Sequence, residues 1–391
     1  MENFVFSIPT VAYFGKGQIE SLGSAIRRFG GSKVLLAYGG GSIKRNGVYD
    51  DVVKQLDAAG LPYAELSGIQ PNPRLKSVEE GVALYRESGC DFILGVGGGS
   101  TLDACKAIAA AAGYEGEVMD LLDGTAEVSG AAPLGTVLTM AGTGSEMDSG
   151  GVITVGEDHK KHVIFHQELY PKFSILDPEY TFTVPQWHSM AGAVDILSHL
   201  MEQYFTPDCG TEVQDRMNEG LMKAVIDNTP KVLENPEDYD ARANVMWASS
   251  MALAGFQFRL GKPMFPFPVH YIGHELSSLN DMTHGVSLAL VTPAWMRHTM
   301  RKNPESTPVF AQFARNVFDV READDAKAAE QGVVLLERFF ASVKMPANLR
   351  EADVPEDKLE YLAEKAVEHG ELGILAKLDR DDVLRILKDA Y

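Results

Sequence analysis

Of the ten histidines in the chain, three crowd one stretch. It runs Pro266-Phe267-Pro268-Val269-His270-Tyr271-Ile272-Gly273-His274-Glu275-Leu276 and, just beyond, Asp281-Met282-Thr283-His284-Gly285. His270 and His274 stand at i and i+4, so on a helix they share a face. His284 follows a polar break at Asn280-Asp281, where the chain can fold back over that face. Upstream, Asp195 and His199 repeat the spacing within Ala191-Gly192-Ala193-Val194-Asp195-Ile196-Leu197-Ser198-His199, a segment otherwise apolar. Acids and imidazoles drawn into an apolar interior must be paired, hydrogen-bonded or metal-bound.

We read the two segments as halves of one metal site. A lone interior histidine more often bonds a neighbour, and an Asp–His pair on a surface helix is commonly just solvated. Against that stand the apolar company of Asp195 and His199 and three further imidazoles at tight spacing. Carboxylate and imidazole donors without a thiolate suit a catalytic divalent ion with an open position. Spacing alone does not divide the work among His270, His274 and His284. His159, His162, His166, His188, His298 and His369 lack such company and are expected on the surface or in loops.

The other chemistry-bearing stretches are glycine-rich. Lys33–Tyr38 reads as a buried strand and runs into Gly39-Gly40-Gly41-Ser42; Phe92–Val96 runs into Gly97-Gly98-Gly99-Ser100; Leu134–Met140 runs into Ala141-Gly142-Thr143-Gly144-Ser145-Glu146. Glycine at a strand's carboxyl end lets backbone N–H groups approach an anion, and the following helix adds its dipole. One such turn is weak evidence, but three make a phosphate-bearing nucleotide the expected ligand. None is GxGxxG, so this is not the ordinary dinucleotide fingerprint. Ser100 is a helix cap under the plainest reading, with Asp103 and Lys106 following it into the helix.

These loops require an α/β framework. Further strands are expected at Val11–Phe14 on an edge, Tyr63–Leu66, Gly151–Val155 and Ser174–Leu176, alternating with helices as in a parallel sheet. Asp158–His166 reads as a polar connection. Beyond Asp177-Pro178 the periodicity turns helical, with helices expected from Pro185 to about Gln203 and over Thr211–Asn228, Asp238–Phe258, Pro268–Leu279 and Ser287–Met300. More follow at Pro308–Val317, Asp325–Val343, Pro355–His369 and Arg380–Tyr391. The fold class is therefore a Rossmann-like α/β N-terminal domain, residues 1–180, joined to an all-α C-terminal domain, residues 181–391. The cleft between them is the expected site.

At 391 residues the chain has length for two domains at about 150 each. The net charge of −20 argues against nucleic acid and against an anionic membrane surface as partners. Three widely spaced cysteines and no long apolar run fit a reduced, cytoplasmic setting.

Across nearly its whole length the sequence resembles the iron-containing (group III) alcohol dehydrogenases, in their butanol dehydrogenase and aldehyde reductase branch. The resemblance rests on Gln70-Pro71-Asn72-Pro73, Gly97–Ser100 with Asp103 and Lys106, Thr139 through Glu146, Leu176-Asp177-Pro178, and the Asp195/His199 and His270/His274/His284 segments. It implies a dehydroquinate synthase-like architecture and a divalent ion, Fe(2+) or Zn(2+), on Asp195, His199, His270 and His284. It sets His274 beside the ion rather than on it; we take His274 as the candidate catalytic proton relay, support of the neighbouring ligands being its alternative role. It implies a nicotinamide dinucleotide on Gly97, Gly98, Gly99 and Ser100, in contact also with Asn72, Asp103, Thr139, Thr143, Val152 and Lys161. A homodimer formed through the N-terminal edge strand is expected. NAD-preferring enzymes place a carboxylate at the adenosine ribose. Here the loop offers Gly39, Gly40 and Ser42, then Lys44 and Arg45, and no acid, so NADP(H) is expected ahead of NAD(H). The expected reaction is metal-assisted hydride transfer on small primary alcohols or aldehydes. Its rivals are glycerol or diol oxidation on the same fold, a dehydroquinate synthase-like lyase, and a non-catalytic binding protein. The lyase would need a Lys/Arg cluster for a substrate phosphate, and none accompanies these histidines.

Overall fold

The structure is a computed structural model that describes residues 1–157, 160–254 and 260–391. Residues 7–184 form one compact unit; residues 1–6 and 185–391 form another.

In the first unit, β1 (Val11–Phe14), β2 (Val34–Tyr38), β3 (Tyr63–Leu66), β4 (Phe92–Gly97), β5 (Leu134–Leu138) and β8 (Phe173–Leu176) make a six-stranded sheet. Its order is β1-β8-β5-β4-β2-β3, and every pairing is parallel. The inner strands are buried along their whole length, which is why they read as unbroken apolar runs. Alternate residues feed two cores. Leu35, Ala37 and Ile93 pack with the helix Gly99–Ala111 on one face, while Val34, Leu36, Phe92 and Leu94 pack with Leu22, Ile26 and Val52 on the other.

One part departs from expectation. Gly150–Val155 (β6) does not join the main sheet; it pairs antiparallel with Lys160–Phe165 (β7), where a polar connection was expected. The Lys160-Lys161-His162 start disguises this strand, whose inward residue is the buried Ile164, packed in the same core as Ile153. A short helix, Val118–Leu122, also went unanticipated.

The second unit is helical. The helices that matter for the site are Gln186–Tyr204, Pro268–Asn280 and His284–Lys302. The helix Glu212–Glu234 runs past Asn228 and through Pro230. Side chains there take up backbone carbonyls, Asn228 Nδ2 donating to Ala224 and Thr229 Oγ1 to Val225. Asp238 caps the helix Tyr239–Leu253; its expected continuation to Phe258 lies outside the described residues, as does His159. His298 is not a surface residue. It is buried, with Nε2 3.0 Å from Asp382 Oδ1, and ties the helix His284–Lys302 to Arg380–Asp389. No described helix is long and apolar enough to cross a membrane.

The close approach of two of these helices depends on Gly285, where a Cβ would stand 1.9 Å from the backbone oxygen of Ala191. Gly285→Ala is therefore expected to destabilise the metal-free protein by about 3 kcal/mol, the upper end for an overpacked contact. A lower urea midpoint checks this; an unchanged midpoint would show that the contact tolerates a methyl group.

Candidate metal centre and dinucleotide loops

The helix Gln186–Tyr204 is buried from Ser189 onward, so its few acids and imidazoles have no water to turn to. Asp195, His199 and Glu202 fall at i, i+4 and i+7, one continuous face. The helix Pro268–Asn280 starts against that face. Pro268 occupies its first turn, where a missing N–H is harmless, and its N-cap, Phe267, has no side chain to cap with. Glu202 does the capping: Oε1 accepts the Val269 N–H at 2.7 Å and Oε2 the His270 N–H at 3.1 Å. The same Oε2 bonds Nδ1 of the His270 ring. With Nδ1 so engaged, Nε2 of His270 is left to face Asp195, 3.7 Å from Oδ1. Asp281, in the left-handed region at φ 50°, ends the helix, and His284 opens the next.

Asp195 Oδ1 is the hub. His199 Nδ1 lies 3.5 Å from it and His284 Nε2 3.8 Å. Ligand atoms of Asp195, His199 and His270 all lie within 4.8 Å of one another. The rings of His199 and His270 stack at 4.3 Å between centroids. Asp195 Oδ1, His199 Nδ1 and His270 Nε2 are buried, and none has a hydrogen-bond partner among the described residues. Donors about 2.1 Å from one ion in a tetrahedral arrangement stand about 3.4 Å apart. The donor types and the spacing therefore fit a divalent cation. His274 stands to one side, its ring stacked on that of His284 at 5.0 Å and 29°. His284 is the more open of the Asp195 partners, its side chain 28% exposed.

The charges follow this geometry. Burial opposes ionisation of Asp195, but His199, His284 and His270 outweigh it and hold its carboxyl well below the usual range. Burial lowers His199 to about 3 despite Asp195. Burial also works against a charged His270, yet Glu202 and Asp195 push it up to about 9.

Glu202 is not among the site residues expected from the sequence. Its signal was there: an acid at i+3 from His199 on a helix with no exposed polar face.

In the first unit, Gly97 ends β4 and Gly98 caps the helix Gly99–Ala111. A Cβ on Gly99 would stand 2.3 Å from Thr143 Oγ1, so the loops after β4 and β5 touch only because that position is glycine. Thr139 N–H donates to the Gly97 oxygen at 3.0 Å. Asn72, in the left-handed region at φ 53°, donates its backbone N–H to Ser100 Oγ and accepts from Lys161 Nζ at 2.6 Å. Asp103 accepts from Ser145 Oγ at 2.7 Å and from the Val152 N–H at 3.0 Å, pinning the third glycine loop to β6. Burial holds the Asp103 carboxyl up at about 6, against the pull of Lys106. Lys106 is itself buried and bonded to Asp148 and to the Gly150 oxygen. Gly39 lies near this group, where its Cβ would be 3.7 Å from Thr101 Oγ1. Gly40 and Ser42 follow at the end of β2. The loop's own residues carry no acid, but Glu65 arrives from β3 and lies 3.4 Å from Lys44 Nζ.

Comparison with known proteins identifies the family. The iron-containing alcohol dehydrogenase model matches residues 9–178, and the C-terminal model of the Fe-containing alcohol dehydrogenase family matches residues 189–391. The chain is 43% identical over 390 residues to a probable NADH-dependent butanol dehydrogenase of Bacillus subtilis (strain 168), covering 99% of each chain. It is 37% identical over 373 residues to an NADPH-dependent aldehyde reductase of Escherichia coli (strain K12), covering 95% of this chain and 94% of that one. The solved structure of NADH-dependent butanol dehydrogenase A from Thermotoga maritima superimposes with a TM-score of 0.94 at 38% identity, covering 100% of this chain and 99% of that one.

Two substitutions test the centre. Asp195→Ala is expected to abolish binding of Zn(2+) and Fe(2+) by equilibrium dialysis, with an unchanged far-UV circular dichroism spectrum. Glu202→Gln is expected to weaken metal binding about 10- to 100-fold in chelator competition, because the His270 ring loses its charged partner. Equal affinity in the variant would show that Glu202 only caps the helix.

Proposed function

The chain belongs to the iron-containing alcohol dehydrogenase family, and from that premise we propose that it interconverts small primary aldehydes and alcohols, butanal and butanol among them, with NADP(H) ahead of NAD(H). That it is an NAD(P)-dependent alcohol dehydrogenase or aldehyde reductase follows from the family and its relatives. The observation that carries the proposal is the buried trio of Asp195 Oδ1, His199 Nδ1 and His270 Nε2, aimed at one another without hydrogen-bond partners among the described residues. Asp195, His199, His270 and His284 would hold the divalent ion, Fe(2+) or Zn(2+).

Bound groups supply the reactive chemistry here: the ion a Lewis acid for the substrate oxygen, the nicotinamide the hydride. The chain's own residues hold, orient and move protons. Glu202 orients the His270 ring, and no nucleophilic side chain is called for. His274, stacked on His284, is the group we assign to carry a proton to the substrate oxygen in reduction and away from it in oxidation. Gly97–Ser100, with Asn72, Thr139, Thr143, Val152 and Lys161, would cradle the dinucleotide, Asp103 shaping that cradle, and Gly39, Gly40 and Ser42 would meet its adenosine ribose. Residues 1–180 would thus serve the cofactor and 181–391 the metal. The preference for NADP(H) draws support from a ribose loop whose own residues include no carboxylate. Two copies pairing through β1, an edge of the sheet, would form a homodimer.

The test uses protein reconstituted separately with Fe(2+) and Zn(2+). Butanal-dependent oxidation of NADPH is expected to exceed that of NADH, and the metal-free protein is expected to be inactive. Turnover independent of metal, or faster oxidation of glycerol than of butanol, would overturn the proposal.

A further inference from the structure

Glu65 lies 27 residues along the chain from Tyr38, yet folding sets it beside the loop that Tyr38 leads into. It pairs in register with Leu36 across the β2–β3 ladder. Its Oε2 accepts the Tyr38 hydroxyl at 2.5 Å, and its Oε1 accepts the Tyr49 hydroxyl at 2.6 Å. Lys44 Nζ lies 3.4 Å from the same Oε2. That ammonium also stands over both rings, 5.0 Å from the Tyr38 centroid and 4.3 Å from that of Tyr49. Lys44 is thus held by one carboxylate and two aromatic faces. It belongs to the short turn Ser42–Arg45 that follows Gly39-Gly40-Gly41 directly. Arg45, the loop's other cation, reaches back toward its own backbone, Nη1 donating to the Gly41 oxygen at 3.4 Å. The Lys44 and Glu65 side chains remain 47% and 33% exposed, so the pair stands where a soluble ligand can meet it.

We propose that Glu65 is a specificity-determining residue, limiting the preference for NADPH over NADH by neutralising Lys44. This rests on the reading of Gly39–Ser42 as the adenosine ribose loop. A phosphate monoester carries about −1.5 to −2 charges at neutral pH. Lys44 alone would attract the 2′-phosphate; Lys44 paired with Glu65 presents no net charge, and the carboxylate itself repels the phosphate. NADH, with an uncharged hydroxyl at that position, is far less sensitive to this balance. The pair is open to water, so its influence is a factor of a few and is screened by salt.

The measurement is the ratio of kcat/KM for NADPH to kcat/KM for NADH, with the metal-loaded protein and butanal. Glu65→Gln keeps an acceptor for a tyrosine hydroxyl and removes the charge. The ratio is expected to rise about two- to fivefold at low ionic strength, through a lower KM for NADPH, with the gain fading in about 0.5 M salt. Lys44→Met is expected to lower the ratio. An unchanged ratio in Glu65→Gln, with both cofactors weakened alike, would make Glu65 a structural hub and overturn the proposal. If Glu65→Gln does not fold, the exposed Lys44→Met decides it, and an unchanged ratio there overturns it equally. A wild-type protein that uses neither dinucleotide would instead sink the ribose-loop reading.

Discussion

A carboxylate oxygen and two imidazole nitrogens, buried together and without hydrogen bonds among the described residues, are what the helical unit is built to tolerate. Each unsatisfied buried polar atom costs about 1–3 kcal/mol. Three of them approach the whole net stability of a typical protein, about 5–15 kcal/mol. Such an arrangement persists when surrounding structure over-determines it and a ligand offsets the deficit. A divalent cation does both at once: it gives each lone pair a partner and turns mutual crowding into coordination. Without such an ion, the cluster is a cost that the rest of the metal-free chain must offset.

That design is visible in its supports. Glu202 spends one carboxylate on two tasks, capping the helix that carries His270 and directing that residue's ring. Placement of the His270 ring and formation of the helix thus share one set of bonds. Gly285 lets the start of the His284 helix come against Ala191, four residues before Asp195 on its helix. In the α/β unit the same economy recurs around Asp103, whose oxygens hold the loop after β5 against β6 rather than standing idle in the helix.

Much of this was legible from residue spacing, and the exceptions have physical reasons. Asp195 and His199 declared themselves because polar groups at i and i+4 inside an apolar segment have few alternatives. The glycine loops did so because they follow buried strands. Spacing could not separate His270 from His274, since a helix gives both the same face; in the structure it is the bond from Glu202 and the direction of Asp195 that single out His270. Glu65 escaped notice for a different reason. It reaches Lys44 across a parallel strand pairing, and such contacts leave no periodic trace in the chain. The β6–β7 hairpin was hidden by two lysines and a histidine at the start of an exposed strand. His298 reads as a surface residue in the sequence because its partner, Asp382, lies 84 residues away.

The central claim is that one divalent ion sits on Asp195. Diffraction from crystals grown with Zn(2+), collected on either side of the zinc absorption edge, addresses it most directly. The account predicts a single strong anomalous peak per chain, bounded by Asp195, His199, His270 and His284, with His274 outside bonding distance. A peak elsewhere, or none at these residues under saturating metal, would contradict it.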